Sequence, residues 1–199
     1  MKLIQRHGYI EFLRRNRERS IIKVVSGIRR CGKSTLFRLF KDELLAEGVK
    51  PEQIISINFE ELEYEPLREY HALYQYILNQ MQPNQMNYIF LDEIQHVDQF
   101  HRVVDSLFVK ENTDIYITGS NAYFMSSDIA TLLTGRYVEI QMLPLSFAEF
   151  YYSKYEEQQY SLIPAYEAYL RESSFPYTQQ LGGEDFDIQE YLRGLFNTL

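Results

Sequence analysis

A chain of 199 residues with 45% hydrophobic and 24% charged residues has the size and composition of one globular domain, or of one domain plus an appendage. No apolar run approaches the length of a membrane span, and no signal-peptide pattern follows the basic residues Lys2, Arg6, Arg14 and Arg15, so a cytoplasmic protein with no membrane association is expected. The single cysteine, Cys31, rules out an internal disulfide and suits a reducing compartment, and the net charge of −8 opposes non-specific binding of the whole domain to nucleic acid.

Leu3, Ile4, Ile10, Phe12 and Leu13 predict a short leading helix, which the polar run Arg14 to Ser20 separates from a first strand over Ile21, Ile22, Val24 and Val25. A glycine-bounded loop follows, Gly27-Ile28-Arg29-Arg30-Cys31-Gly32-Lys33-Ser34-Thr35, and Leu36, Phe37, Leu39, Phe40, Leu44 and Leu45 then recur at helical spacing. Gly48 and Pro51 end that helix, Ile54 to Phe59 reads as a second strand, and Glu60 to Glu65 as an acidic loop. Leu67, Tyr70, Leu73, Tyr74, Ile77, Leu78 and Met81 predict a helix closed by Pro83. The third strand, Tyr88-Ile89-Phe90-Leu91, ends in two acids, Asp92 and Glu93. A helix over Phe100, Val103, Val104, Leu107 and Phe108 leads to a fourth strand, Ile115 to Thr118, that opens onto Gly119-Ser120-Asn121. Tyr137, Val138, Ile140 and Met142 predict a fifth strand ending at Pro144, and Ser146 to Tyr152 a helix.

Strand and helix alternate throughout this stretch, and parallel neighbours need crossover connections. The expected fold class is therefore α/β: three layers, with a mostly parallel sheet of about five strands. Beyond that point the rhythm stops. A short helix around Tyr166, Tyr169 and Leu170 and a last helix capped by Asp187 predict a small helical appendage. The expected division is residues 1–155 as the α/β domain and 156–199 as an appendage or linker leading to a further, missing C-terminal domain.

The loop fits the G-x-x-x-x-G-K-S pattern between a strand and a helix, the context in which backbone N–H groups and a helix N-terminus cradle phosphates. Gly27 and Gly32 permit the turn, and Ile28, Arg29, Arg30 and Cys31 complete the cradle with a thiol exposed near the nucleotide. Lys33 reaches the outer phosphates, Ser34 and Asp92 ligate Mg²⁺, and Thr35 sits on the first helical turn. Glu93, one position past the metal acid, is suited to orient or deprotonate a water, which hydrolysis needs and transfer to a substrate hydroxyl does not. Ser120 or Asn121 is placed to sense the γ-phosphate, and Arg136 to stabilise transition-state charge from its own subunit or a neighbour's. His7, His71, His96 and His101 show no zinc-ligand spacing.

Five segments in order, the phosphate loop, Leu91-Asp92-Glu93-Ile94-Gln95, Thr118-Gly119-Ser120-Asn121, Leu133-Thr134-Gly135-Arg136-Tyr137 and Leu143-Pro144-Leu145-Ser146-Phe147, resemble the AAA-type ATPase domain of a prokaryotic ATP-binding protein family in the P-loop additional-strand-glutamate group. The resemblance covers roughly residues 1 to 155. It implies Mg-ATP as ligand, Glu93 as catalytic carboxylate, and a sheet in which the phosphate-loop strand and the acid-pair strand flank the fourth strand. The resemblance implies a second C-terminal domain, into which family members usually continue and which this chain is too short to hold, and Ser173-Ser174 stand where glycines are expected in the linker.

The function expected is Mg²⁺-dependent ATP hydrolysis coupled to conformational change. The alternative is a nucleotide-gated signalling or DNA-associated switch with slow hydrolysis. A DNA or protein partner would act through the missing domain or the basic N-terminal fifth, and a homo-oligomer would complete the site between subunits. A small-molecule kinase ranks last, because only Arg136 stands where a lid arginine is needed.

Overall fold

The computed structural model describes residues 4, 6–120, 133, 135–155, 161–181 and 185–196. Its elements run α1 (His7–Asn16), β1 (Ile22–Gly27), α2 (Lys33–Ala46), β2 (Ile54–Asn58), α3 (Tyr70–Gln80), β3 (Asn87–Asp92), α4 (Phe100–Phe108), β4 (Thr113–Gly119), β5 (Tyr137–Met142), α5 (Phe147–Tyr155), α6 (Leu162–Glu172) and α7 (Asp185–Phe196). The five strands form one sheet in the order β2-β3-β4-β1-β5. The pairs β2–β3, β3–β4 and β4–β1 are parallel. The fold is thus the expected α/β class, and β4 lies between the phosphate-loop strand and the acid-pair strand as expected.

β3 and β4 alternate aliphatic with aromatic side chains, and the sheet separates them by face. Ile55, Ile57, Ile89, Leu91, Ile115 and Ile117 belong to a core shared with Leu73 and Ile77 of α3 and Val103, Val104 and Leu107 of α4. On the other face Phe90 stacks on Tyr116 at 4.6 Å, and Phe37 and Phe40 of α2 meet this pair edge-on or tilted at 5.2 and 5.4 Å. Period 2 then decides where the chemistry falls. Asp92 and Thr118 lie two residues beyond Phe90 and Tyr116, so they project toward α2, whose first turn carries Lys33 and Ser34.

At the opposite end of the same strands Lys23 and Asp114 form a completely buried ion pair. Asp114 also accepts from the Tyr116 hydroxyl at 2.7 Å and from the Glu18 N–H at 2.8 Å, and the Lys23 amine donates to the Arg19 carbonyl at 3.0 Å. Desolvation lowers the Lys23 pKa, opposed by the Asp114 charge.

Several boundaries differ from expectation. Leu62–Arg68, read in part as an acidic loop, forms 3-10 turns around Pro66, which has no N–H to extend an α-helix. The next helix starts at Tyr70 instead of Leu67 because the Glu69 carboxylate caps it, accepting from the N–H groups of His71 and Ala72 at 3.0 and 2.8 Å. The last helix begins at Asp185, so Asp187 is inside it and is not its cap.

By contacts the chain falls into two compact units. One comprises His7–Gly27 and Lys33–Gln141, and the other Met1–Arg6, Ile28–Gly32 and Met142–Leu199, as far as these are described. Among the described residues no helix is long and apolar enough to cross a membrane.

Candidate active site

In the sheet-bearing unit the C-terminal edge gathers Lys33, Ser34, Asp92, Glu93 and Thr118. The Lys33 amine is buried, donates to the Gly27 carbonyl at 3.2 Å and lies 3.1 Å from Glu93 Oε1. Ser34, on the first turn of α2, lines the same cleft as Asp92. Thr118 Oγ1 donates to Asp92 Oδ1 and accepts from the Glu93 N–H, the latter at 2.9 Å. The Gln95 amide donates to Glu93 Oε2 at 2.6 Å, while its own Oε1 is buried with no hydrogen-bond partner.

Glu93 itself has left-handed backbone angles, φ 55° and ψ 50°, which a side chain other than glycine or asparagine rarely adopts. A residue held in that region costs of order 1–3 kcal/mol and persists only where its surroundings fix it. Burial raises the Asp92 pKa, the hydrogen bonds from Ser34 and Thr118 lower it, the charge of Glu93 raises it and that of Lys33 lowers it; the net direction is up.

Ser34 Oγ and the Asp92 carboxylate are both hard oxygen donors and line one cleft, a donor set that suits Mg²⁺. An open cleft of about 460 Å³, lined in part by Ser34, Thr35, Arg38, Lys41 and Asn58, borders Asp92 and leaves room for the water that such a cation retains. Thr35 is on the first helical turn, as expected.

The loop Ile28–Gly32 belongs by contacts to the other unit. Arg30 and Gly32 both have positive φ, 65° and 108°, and the Cys31 N–H donates to the Ile28 carbonyl at 3.4 Å. Arg29 and Arg30 are exposed, and the Arg30 guanidinium lies over the Tyr191 ring at 5.6 Å. The Cys31 thiol, expected to be exposed, is buried, so a small apolar side chain is what this loop position holds.

Sequence reading missed Arg6, which it counted only within a basic N-terminal pattern. Arg6 is buried and donates to the Cys31 carbonyl at 3.2 Å, to the Leu143 carbonyl at 2.9 Å and to Glu149 at 2.6 Å. A trans peptide points its C=O and the next N–H in opposite directions, so holding the Cys31 carbonyl also aims the Gly32 N–H. No local pattern marks an arginine 25 positions from its target. Thr118 and Gln95 lie inside the segments that follow the pattern around β4 and β3, but only strand pairing brings Thr118 to the acids.

Not every expected residue joins the site. Ser120 directly follows β4 and is half-buried, whereas Asn121 lies outside the described residues. Arg136 is brought to neither acid. Its carbonyl accepts from the N–H of Ile22, at the start of β1 and therefore the far end from Gly27, and its guanidinium binds Asp105 of α4 at 2.7 Å.

A G-x-x-x-x-G-K-S segment between β1 and α2, and a strand ending in paired acids, on a sheet of order β2-β3-β4-β1-β5, define the class of P-loop nucleotide-binding ATPase folds. Residues 19–151 match the AAA domain, and the chain belongs to that family. It is 41% identical over 176 residues to an uncharacterized protein of Haemophilus influenzae, an alignment that covers 87% of this chain and 44% of that one. The chain thus spans less than half the length of this relative. Among solved structures it is similar to a Walker-type ATPase, PABY2304 of Pyrococcus abyssi, with TM-score 0.61, 17% identity, and 98% of this chain and 74% of that one covered. It is also similar to AMPPCP-bound DnaA of Aquifex aeolicus, with TM-score 0.56, 10% identity, and 97% and 61% covered. At these identities the two structures bear on fold alone.

Proposed function

We propose that the protein binds Mg-ATP at this edge of the sheet and hydrolyses it, with the chemical step coupled to a change of conformation. The observation that carries the reading is the buried Lys33–Glu93 ion pair beside Asp92, with Ser34 lining the same cleft as Asp92. Phosphate oxygens would take the Lys33 amine from Glu93 Oε1 and the Gly27 carbonyl, which frees the Glu93 carboxylate for water. Ser34 and Asp92 would hold Mg²⁺, which when bound offsets charge on the β- and γ-phosphates. Glu93 then orients the attacking water and accepts its proton as the oxygen bonds to the γ-phosphorus and the bond to the bridging oxygen breaks, leaving ADP and phosphate. Ser120, with Asn121 as the alternative, would sense the γ-phosphate. Ile28 to Gly32 would supply backbone N–H groups, and Arg136, given its place at the far end of β1, would act only in a neighbouring subunit's site.

The test separates binding from chemistry. Glu93→Gln should retain ATP binding while turnover falls by about a hundredfold or more, and Lys33→Ala should lose both. Hydrolysis by Glu93→Gln at the wild-type rate would remove the assignment. The chain covers 44% of the Haemophilus influenzae relative, which supports a domain boundary near residue 155 and a further C-terminal domain through which the conformational change acts.

DNA association is the weaker reading. In the basic N-terminal fifth Arg14 pairs with Glu11 and Glu43, Arg17 with Glu18 and Glu47, and Lys23 with Asp114, so much of the positive charge that a phosphate backbone would use is already offset. Salt-dependent DNA binding that changes with ATP would favour the switch instead.

A further inference from the structure

The assignment of this edge as an ATPase site underlies the next step. We propose that Thr118 is a positioning residue that holds Asp92 and Glu93 in one working arrangement from the neighbouring strand. One hydroxyl serves both acids: its proton goes to Asp92 Oδ1, and its oxygen accepts the Glu93 N–H at 2.9 Å. Thr118 is fully buried, so water does not compete for either bond.

The two bonds do different things. The bond to Asp92 fixes the rotation of that carboxylate and so sets which lone pairs face the cation position. The bond from Glu93 fixes a peptide whose left-handed geometry is unfavourable by itself, and that geometry aims the carboxylate at Lys33 and Gln95. Threonine suits the task because branching at Cβ restricts χ1 and so fixes the hydroxyl. Valine has the same shape without the hydroxyl. It would leave the Glu93 N–H without this acceptor and let Asp92 turn, so the metal acid and the water-activating acid would be misplaced together.

The experiment uses the full chain with Thr118→Val and Thr118→Ser beside wild type and Glu93→Gln, with folding followed by thermal melting. Two quantities are read: the Mg²⁺ midpoint for binding a fluorescent ATP analogue, and kcat and KM for ATP. Thr118→Val should bind the analogue without Mg²⁺ within about twofold of wild type, need about tenfold more Mg²⁺ for tight binding, and lose about thirtyfold or more in kcat with KM little changed. Thr118→Ser should restore both to within about threefold. A Thr118→Val protein with a normal Mg²⁺ midpoint and normal kcat would overturn the proposal, as would a folded Thr118→Ser protein as impaired as the valine variant. If Thr118→Val does not fold, Thr118→Ala carries the same expectations and is judged by the same outcomes. A wild-type protein that binds the analogue without turning ATP over would overturn the ATPase reading instead, and the Mg²⁺ midpoints would still decide the role of Thr118.

Discussion

Asp92 carries a charge that the fold disfavours. Its pKa is raised chiefly by burial, so the folded state holds its proton to higher pH than the unfolded chain does. Below the unfolded value both states are protonated and the residue is neutral in effect; as pH rises through that value toward the folded one, stability is lost and stays lost above. Asp92→Asn removes the penalty. Without Mg²⁺ the variant should unfold at higher urea than wild type at pH 7, and the gap should close as pH falls toward about 4, while Mg²⁺-dependent ATP binding is lost. An Asp92→Asn protein less stable than wild type at pH 7 would mean that the hydrogen bonds from Ser34 and Thr118 outweigh desolvation.

Between elements, the turn after α6 shows how a strained serine is held. Ser173 stands where the resemblance expects glycine, and it has φ 72° and ψ 163°, a region that is essentially glycine's own. The turn keeps its shape because the Ser174 carbonyl accepts the Leu145 N–H at 2.7 Å and the Phe175 carbonyl accepts from Thr178 Oγ1 at 2.7 Å. Relief of that strain exceeds the extra chain entropy glycine brings to the unfolded state. Ser173→Gly should therefore stabilise the protein by about 1 kcal/mol in urea unfolding. A destabilised variant would show that the serine side chain contributes more than the strain costs.

For the molecule as a whole, the site links ligand binding to stability, because a ligand that binds only the folded state adds RT ln(1 + [L]/Kd). Mg-ATP at a hundred times its Kd adds about 2.7 kcal/mol, which in a chain of this size raises the melting midpoint by roughly 5–11 °C. The shift should vanish in Lys33→Ala. Differential scanning fluorimetry with Mg-ATP, with ATP and EDTA, and with the variant checks it; an equal shift in Lys33→Ala would place ATP somewhere else on the chain.

Local order carried much of the architecture into view. Branched and aromatic runs at period 2, helical spacing after the phosphate loop, and glycine and proline stops are all effects of near neighbours, so the five strands, the helices between them and the loop residues Gly27 to Thr35 are legible one segment at a time. The acids Asp92 and Glu93 stand out for the same reason, as charges at the end of a buried strand. Other features depend on which strands become neighbours. The Thr118 hydroxyl meets both acids because β4 pairs with β3, Arg6 reaches Cys31 across 25 positions, and Arg136 falls at the far end of β1 although it lies in a motif with the others. Hydrogen bonds and ion pairs of this kind act over a few ångströms, and chain spacing says nothing about such distances until packing has brought the partners together.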